Sequence, residues 1–115
     1  MIQYLRMPAT IHHDVTHLDD DAREQAVATL RLLADGTRLA VLWELRGGER
    51  AAGDLGRLLA RPAPSVSQHL AKLRLAGLVS TRRDGTTIFY RLATDHVGRL
   101  VEDVVAHAQH VVADR

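Results

Sequence analysis

Residues Pro62 to Leu92, PAPSVSQHLAKLRLAGLVSTRRDGTTIFYRL, constrain the chain most. Val66, Leu70 and Leu73 recur at i, i+4 and i+7, which predicts a short helix with one narrow apolar stripe. Pro64 fits the first helical position, where a missing N–H costs nothing. Gly77 suits a helix-ending position. Val79–Arg83 and Thr86–Leu92 are β-rich, and Asp84-Gly85 between them is a hairpin signal. A helix, a glycine stop and a two-stranded ribbon must therefore follow one another within about thirty residues.

The rest of the chain reads as helices. Asp21 and Glu24 have capping-box spacing, and Ala22, Ala26, Val27, Leu30 and Leu33 supply an apolar face up to Asp35-Gly36. Leu39, Leu42 and Trp43 predict a second helix ending at Gly47-Gly48, and Leu55, Leu58 and Leu59 a short third. A last helix is expected from about Asp95 to Ala113. The expected order is ααααββα, mainly α with one small hairpin. At 115 residues the chain is expected to form a single domain, with residues 1–18 as an N-terminal arm and 94–113 as a dimerisation and sensor helix.

Composition narrows the function. There is no cysteine, which excludes disulfides, thiolate metal sites and thiol redox switches. No apolar run is long enough to span a membrane, and Met1–Ala9 lacks the apolar core of a signal peptide. A soluble cytoplasmic protein is the expectation. The net charge of +1 is uneven: residues 61–91 hold six cations against Asp84, while 14–24 hold five acids against Arg23. The basic segment is expected to face a polyanion.

Asp54–Leu59 and Pro64–Leu75 have the lengths and short connection of a helix-turn-helix. With Val66, Leu70 and Leu73 inward, Ser65, Ser67, Gln68 and Lys72 fall largely on the opposite face, with His69 toward the boundary. Hydroxyls, an amide and a cation are what a helix in the major groove uses to reach base edges and phosphates. Arg82, Arg83 and Thr86 flank the hairpin tip, where they can follow the DNA backbone or minor groove. One such module reads few bases, so two-fold pairing is expected.

The stretch from about Glu24 to His110 resembles the ArsR/SmtB winged helix-turn-helix repressors of bacteria. The resemblance is carried by Leu33-Ala34-Asp35-Gly36-Thr37-Arg38-Leu39, Ser65-Val66-Ser67-Gln68-His69-Leu70, Gly77-Leu78-Val79 and Arg83-Asp84-Gly85. Residues 62–92 look most like an actinobacterial branch that senses nickel and cobalt. The resemblance implies a homodimer on a palindromic operator in double-stranded DNA, and repression relieved by metal.

Three of the seven histidines, His96, His107 and His110, lie in the expected last helix together with Asp103. Asp103, His107 and His110 share a face. Eleven residues separate His96 from His107, about 16 Å along a helix, so one ion cannot bind both in one chain. An antiparallel second copy brings His96 of one subunit to His107 and His110 of the other, in two symmetric sites. Imidazole and carboxylate suit zinc, nickel or cobalt. In many metal sensors of the family the helix opens Asp-x-His; here Thr94 takes the aspartate's place and Asp95 stands one position late. His13 and His17, four apart in the N-terminal segment, are further candidate ligands.

The leading expectation is a metal-responsive transcriptional regulator, a repressor modulated by nickel or cobalt, with zinc as the alternative metal. The alternative is a winged-helix regulator with a degraded metal site, controlled by a partner protein or another ligand. An enzyme is not expected: no His-Glu-x-x-His, Gly-x-Ser-x-Gly or phosphate-loop motif occurs.

Overall fold

The computed structural model describes residues 17–115. It contains α1 (Asp20–Leu33), α2 (Gly36–Leu45), β1 (Arg50–Ala51), α3 (Ala52–Leu59), α4 (Ala63–Leu75), β2 (Val79–Asp84), β3 (Thr87–Leu92) and α5 (Asp95–Ala113). The expected order holds, with one added element: the two-residue β1, which makes the hairpin a three-stranded antiparallel sheet ordered β1-β3-β2. Two compact units are distinguished, one ending at Leu30 and the other spanning Arg31–Arg115.

In the first unit α1 begins one residue before the expected start. The cap is Asp19, whose Oδ1 accepts the Ala22 N–H at 2.7 Å, so Asp21 stands inside the first turn. Three consecutive aspartates compete for this position, and a helix admits one cap. Val27 and Leu30 of the expected apolar face are exposed.

The second unit contains the core: Leu33, Val41, Leu42, Leu45, Leu55, Val66, Leu70, Leu73, Leu78, Val79, Val97 and Val101. No polar or charged residue is buried among the described residues. In α2 the most buried positions are Val41, Leu42 and Leu45, while Leu39 and Trp43 sit on the shoulder of the core. Asp35 caps α2, accepting the Arg38 N–H at 2.8 Å, and this bond holds its carboxyl below the usual range. At the other end Arg46 lies 3.7 Å over the Trp43 ring and pairs with Glu102 of α5 at 2.9 Å. That contact fixes α5 against α2.

Both helices of the helix-turn-helix end in the same motif. After α4 the Gly77 N–H reaches Arg74 O and the Leu78 N–H reaches Leu73 O, with Gly77 left-handed at φ +77°. This six-to-one and five-to-two pairing is a Schellman turn, closed by the buried pair Leu73 and Leu78. After α3 the equivalent bonds are Ala60 N–H to Arg57 O and Arg61 N–H to Gly56 O, but the left-handed position holds Ala60 at φ 53°. Gly56 makes the turn feasible: a Cβ there would stand 2.8 Å from Arg61 O. The hairpin turn lies one residue later than expected. Asp84 pairs with Thr87, leaving Gly85-Thr86 as the loop. Only Gly85 has positive φ (+63°), as the first loop residue of a type II′ turn requires. No helix among the described residues is long and apolar enough to cross a membrane.

Candidate nucleic-acid interface

Because Val66, Leu70 and Leu73 are fully buried, α4 turns one continuous row outward: Pro64, Ser67, Gln68, Ala71, Lys72 and Leu75. Pro64 stands at the second helical position rather than the first, and Ala63 opens the helix. It remains in the first turn, where N–H groups have no intrahelical acceptor. Ser67, Gln68 and Lys72 are exposed, whereas Ser65 and His69 are half-buried. The exposed row thus carries a hydroxyl, a flexible amide and a cation with no aromatic or acidic side chain beside them. A groove-reading helix requires that chemistry.

The wing divides its two arginines. Arg82 is committed to Glu49: Nε contacts both carboxylate oxygens at 3.0 and 3.1 Å, and Nη2 contacts Oε1 at 2.6 Å. Its guanidinium also lies 4.8 Å from the Phe89 ring centroid. The bond from Arg82 holds the Glu49 carboxyl below its usual range. The Arg83 side chain is exposed and has no hydrogen-bond or ion-pair partner among the described residues, and Thr86 is exposed in the turn. Sequence reasoning treated the arginines alike and missed Glu49. Arg91, another of the basic segment, donates from Nε to Ser80 Oγ at 3.1 Å.

The helix-turn-helix is also braced at His69. Its Nδ1 lies 3.3 Å from Arg38 Nη1 and 3.8 Å from Asp35 Oδ2. Nothing local in the sequence marks this contact, which spans 31 positions.

On α5 the expected ligands are all exposed: Asp95, His96, Asp103, His107 and His110. Thr94 is the N-cap and Asp95 the first helical residue. No group of three or more potential ligands comes together among the described residues. His96 Nδ1 takes a contact from Arg99 Nη2 at 3.1 Å, and His110 Nε2 lies 3.6 Å from Asp114 Oδ2. An ion at His96 Nδ1 must therefore displace a guanidinium. The donor chemistry of Asp103, His107 and His110 fits a borderline divalent metal: two imidazoles and a carboxylate, solvent-accessible, spaced 4 and 3 on one helix. His17 is exposed; His13 lies outside the described residues. The same helix exposes Val104, Val111 and Val112, and an apolar cleft beside them is lined by Leu39, Val105, Ala108 and Ala113.

A family described as a helix-turn-helix domain matches residues 33–82. The HTH-type transcriptional regulator KmtR of Mycobacterium tuberculosis is 56% identical over 93 residues, covering 81% of this chain and 72% of that protein. The HTH-type transcriptional repressor SmtB of the same species is 44% identical over 79 residues, 69% of this chain and 58% of the repressor. Among solved structures, a Mycobacterium bovis domain superposes with a TM-score of 0.76 at 30% identity, covering 91% of this chain and 94% of that one. It is described as the homodimeric winged helix-turn-helix DNA-binding domain of a possible ArsR-family transcriptional regulator.

Proposed function

This chain belongs to the ArsR/SmtB family of winged helix-turn-helix transcriptional regulators, and we propose that it is a homodimeric repressor whose operator binding is modulated by a divalent metal. Its relatives are DNA-binding regulators, not enzymes. The observation that carries the DNA part is the exposed row of α4, with Ser67, Gln68 and Lys72 set outward by three fully buried neighbours. Ser65 contributes from the half-buried start of the helix. Arg83 and Thr86 at the hairpin tip supply the backbone contacts, with Arg82 as the residue that holds the wing. The exposed valines of α5 favour a second copy of the chain as their cover, and the description of the similar M. bovis domain as homodimeric supports pairing.

Two copies would place His96 of one α5 against Asp103, His107 and His110 of the other, with Asp95 near the helix start and His13 and His17 as further donors. Nickel or cobalt suits this nitrogen-rich, higher-coordination set, and zinc the smaller one. A bound ion would supply a cross-link between the last helices. Any effect on DNA is then the difference in ion affinity between two dimer states. The repressor role rests on the name of the SmtB relative and on the family.

Titration of operator DNA with and without zinc, nickel and cobalt tests the proposal. Unchanged affinity with every metal, in a chain shown to be folded, would sink the metal part and leave the DNA part standing. A second reading keeps a degraded site, with a partner protein or another ligand in control. It draws on Thr94 at the cap and Arg99 on His96. Under it, His96→Ala and His107→Ala proteins regulate as the parent does.

A further inference from the structure

His69 sits on α4 between the buried stripe and the exposed row, its side chain 21% exposed. An arginine guanidinium has only donors. The 3.3 Å contact from Arg38 Nη1 is therefore a hydrogen bond when His69 Nδ1 bears the lone pair, with the ring proton on Nε2. Arg38 is itself fixed at two further points. Its Nε donates to Leu32 O at 2.6 Å, and its backbone N–H is held by Asp35 Oδ2 at 2.8 Å. A continuous polar chain thus runs from Leu32 O through the first turn of α2 to the middle of α4.

Every other contact that seats α4 through its stripe is aliphatic: Val66, Leu70 and Leu73 pack into a core with no buried polar residue among those described. That packing sets which face of α4 points outward, but it is non-directional and supplies no polar contact for finer rotation. A hydrogen bond to a braced guanidinium fixes rotation. His69 neighbours Gln68 directly and stands one turn before Lys72, so a small roll of α4 moves both heads. Binding constellations need their geometry held to about 0.5 Å and 10–20°, and on DNA it is the base-edge contacts that carry sequence information.

We propose that His69 is a positioning residue for sequence discrimination. By accepting the Arg38 hydrogen bond it sets the rotation of α4, and so decides how well Gln68 and its neighbours choose between DNA sequences. This rests on α4 being the DNA-reading helix.

The test uses the full chain. The parent protein selects a preferred duplex from randomised DNA. Dissociation constants are then measured at one salt concentration for that duplex and for a scrambled duplex of equal length. His69→Phe keeps the ring volume and removes the acceptor; it is expected to lower the preference ratio about tenfold, the scale of one base contact, while the scrambled duplex binds within about twofold of the parent. His69→Asn places an amide oxygen where Nδ1 stood and is expected to retain most of the preference. Arg38→Lys keeps the charge but loses the planar fork, and is expected to lower the ratio as His69→Phe does. It carries the test alone if His69→Phe does not fold. An unchanged ratio in His69→Phe or, where that variant does not fold, in Arg38→Lys would overturn the proposal. Equal loss on both duplexes, or a His69→Asn deficit as deep as that of His69→Phe, would overturn it too. A parent protein that selects no sequence would overturn the reading of α4 itself, and this proposal with it.

Discussion

Glu49 grips Arg82 with a two-oxygen, two-nitrogen contact of 2.6–3.1 Å across 33 positions of sequence. Glu49 ends the turn that leads into β1, and Arg82 lies on β2, so the pair ties the wing to the sheet's far side. One cation of the wing is thereby paired with a carboxylate, while its neighbour Arg83 keeps an exposed side chain without a partner among the described residues. Arg83→Ala should weaken DNA binding more than Arg82→Ala in the otherwise unchanged chain. Glu49→Gln should release Arg82 and, if it then meets a phosphate, steepen the logarithmic salt dependence of binding by about one. Anisotropy titrations across a salt series measure both. Equal losses for the two arginine variants would refute this division of labour.

The α3–α4 turn makes two opposite predictions. Gly56→Ala would drive a Cβ to 2.8 Å from Arg61 O, a backbone atom that can move only with the turn. A destabilisation of about 1–3 kcal/mol is expected, as for other overpacked sites, with loss of DNA binding at temperatures where the variant is still folded. Ala60 occupies a left-handed position at φ 53° that favours glycine. Ala60→Gly is expected to stabilise by about 1 kcal/mol. Denaturant melts of both variants decide; a stabilised Gly56→Ala protein would contradict the turn geometry.

How much of this was legible beforehand depended on sequence distance. The α4 stripe, the Gly77 stop and the hairpin are written in residues within one turn or one strand of each other, and the structure meets their expected bounds to within one residue. The hairpin slipped by one because Asp84-Gly85 and Gly85-Thr86 both suit a two-residue loop, and the Asp84–Thr87 pairing chose between them. Strand β1 was missed because two residues carry no period; it exists because Arg50 and Ala51 meet Tyr90 and Phe89. Glu49–Arg82 and Arg38–His69 were illegible for the same reason. They join positions 33 and 31 apart, and only the closed fold brings them together.

Asp35 gives the pH prediction. The Arg38 backbone N–H holds its carboxyl below the ordinary value of 3.8, with the Arg38 charge acting in the same direction. A depressed carboxylate contributes stability that is present above its unfolded value and lost as pH falls through the folded one. Asp35→Asn keeps a capping oxygen, whereas Asp35→Ala should cost about 1 kcal/mol near neutrality, as helix N-caps do. The gap between parent and Asp35→Ala in thermal melts should stay constant at neutral pH and narrow below pH 3.8. A gap that widens on acidification would show that Asp35 does not cap α2 as an anion.

Gln68 and Lys72 are expected to divide base reading and phosphate contact between them. Gln68 and Lys72 are exposed neighbours on one row, so neither variant should shift stability by more than about 0.5 kcal/mol. They should differ on DNA. An amide can pair with a base edge through both its oxygen and its nitrogen; Gln68→Ala is therefore expected to cost about 1–3 kcal/mol on the preferred duplex and little on a scrambled one. A lysine ammonium is a point charge suited to phosphate. Lys72→Ala should weaken both duplexes alike and reduce the salt slope by about one. Competition titrations of the two variants against both duplexes resolve the pattern. If Lys72→Ala instead changed which bases are preferred, while Gln68→Ala left the preference intact, α4 would lie in the groove with a different face than its burial pattern dictates.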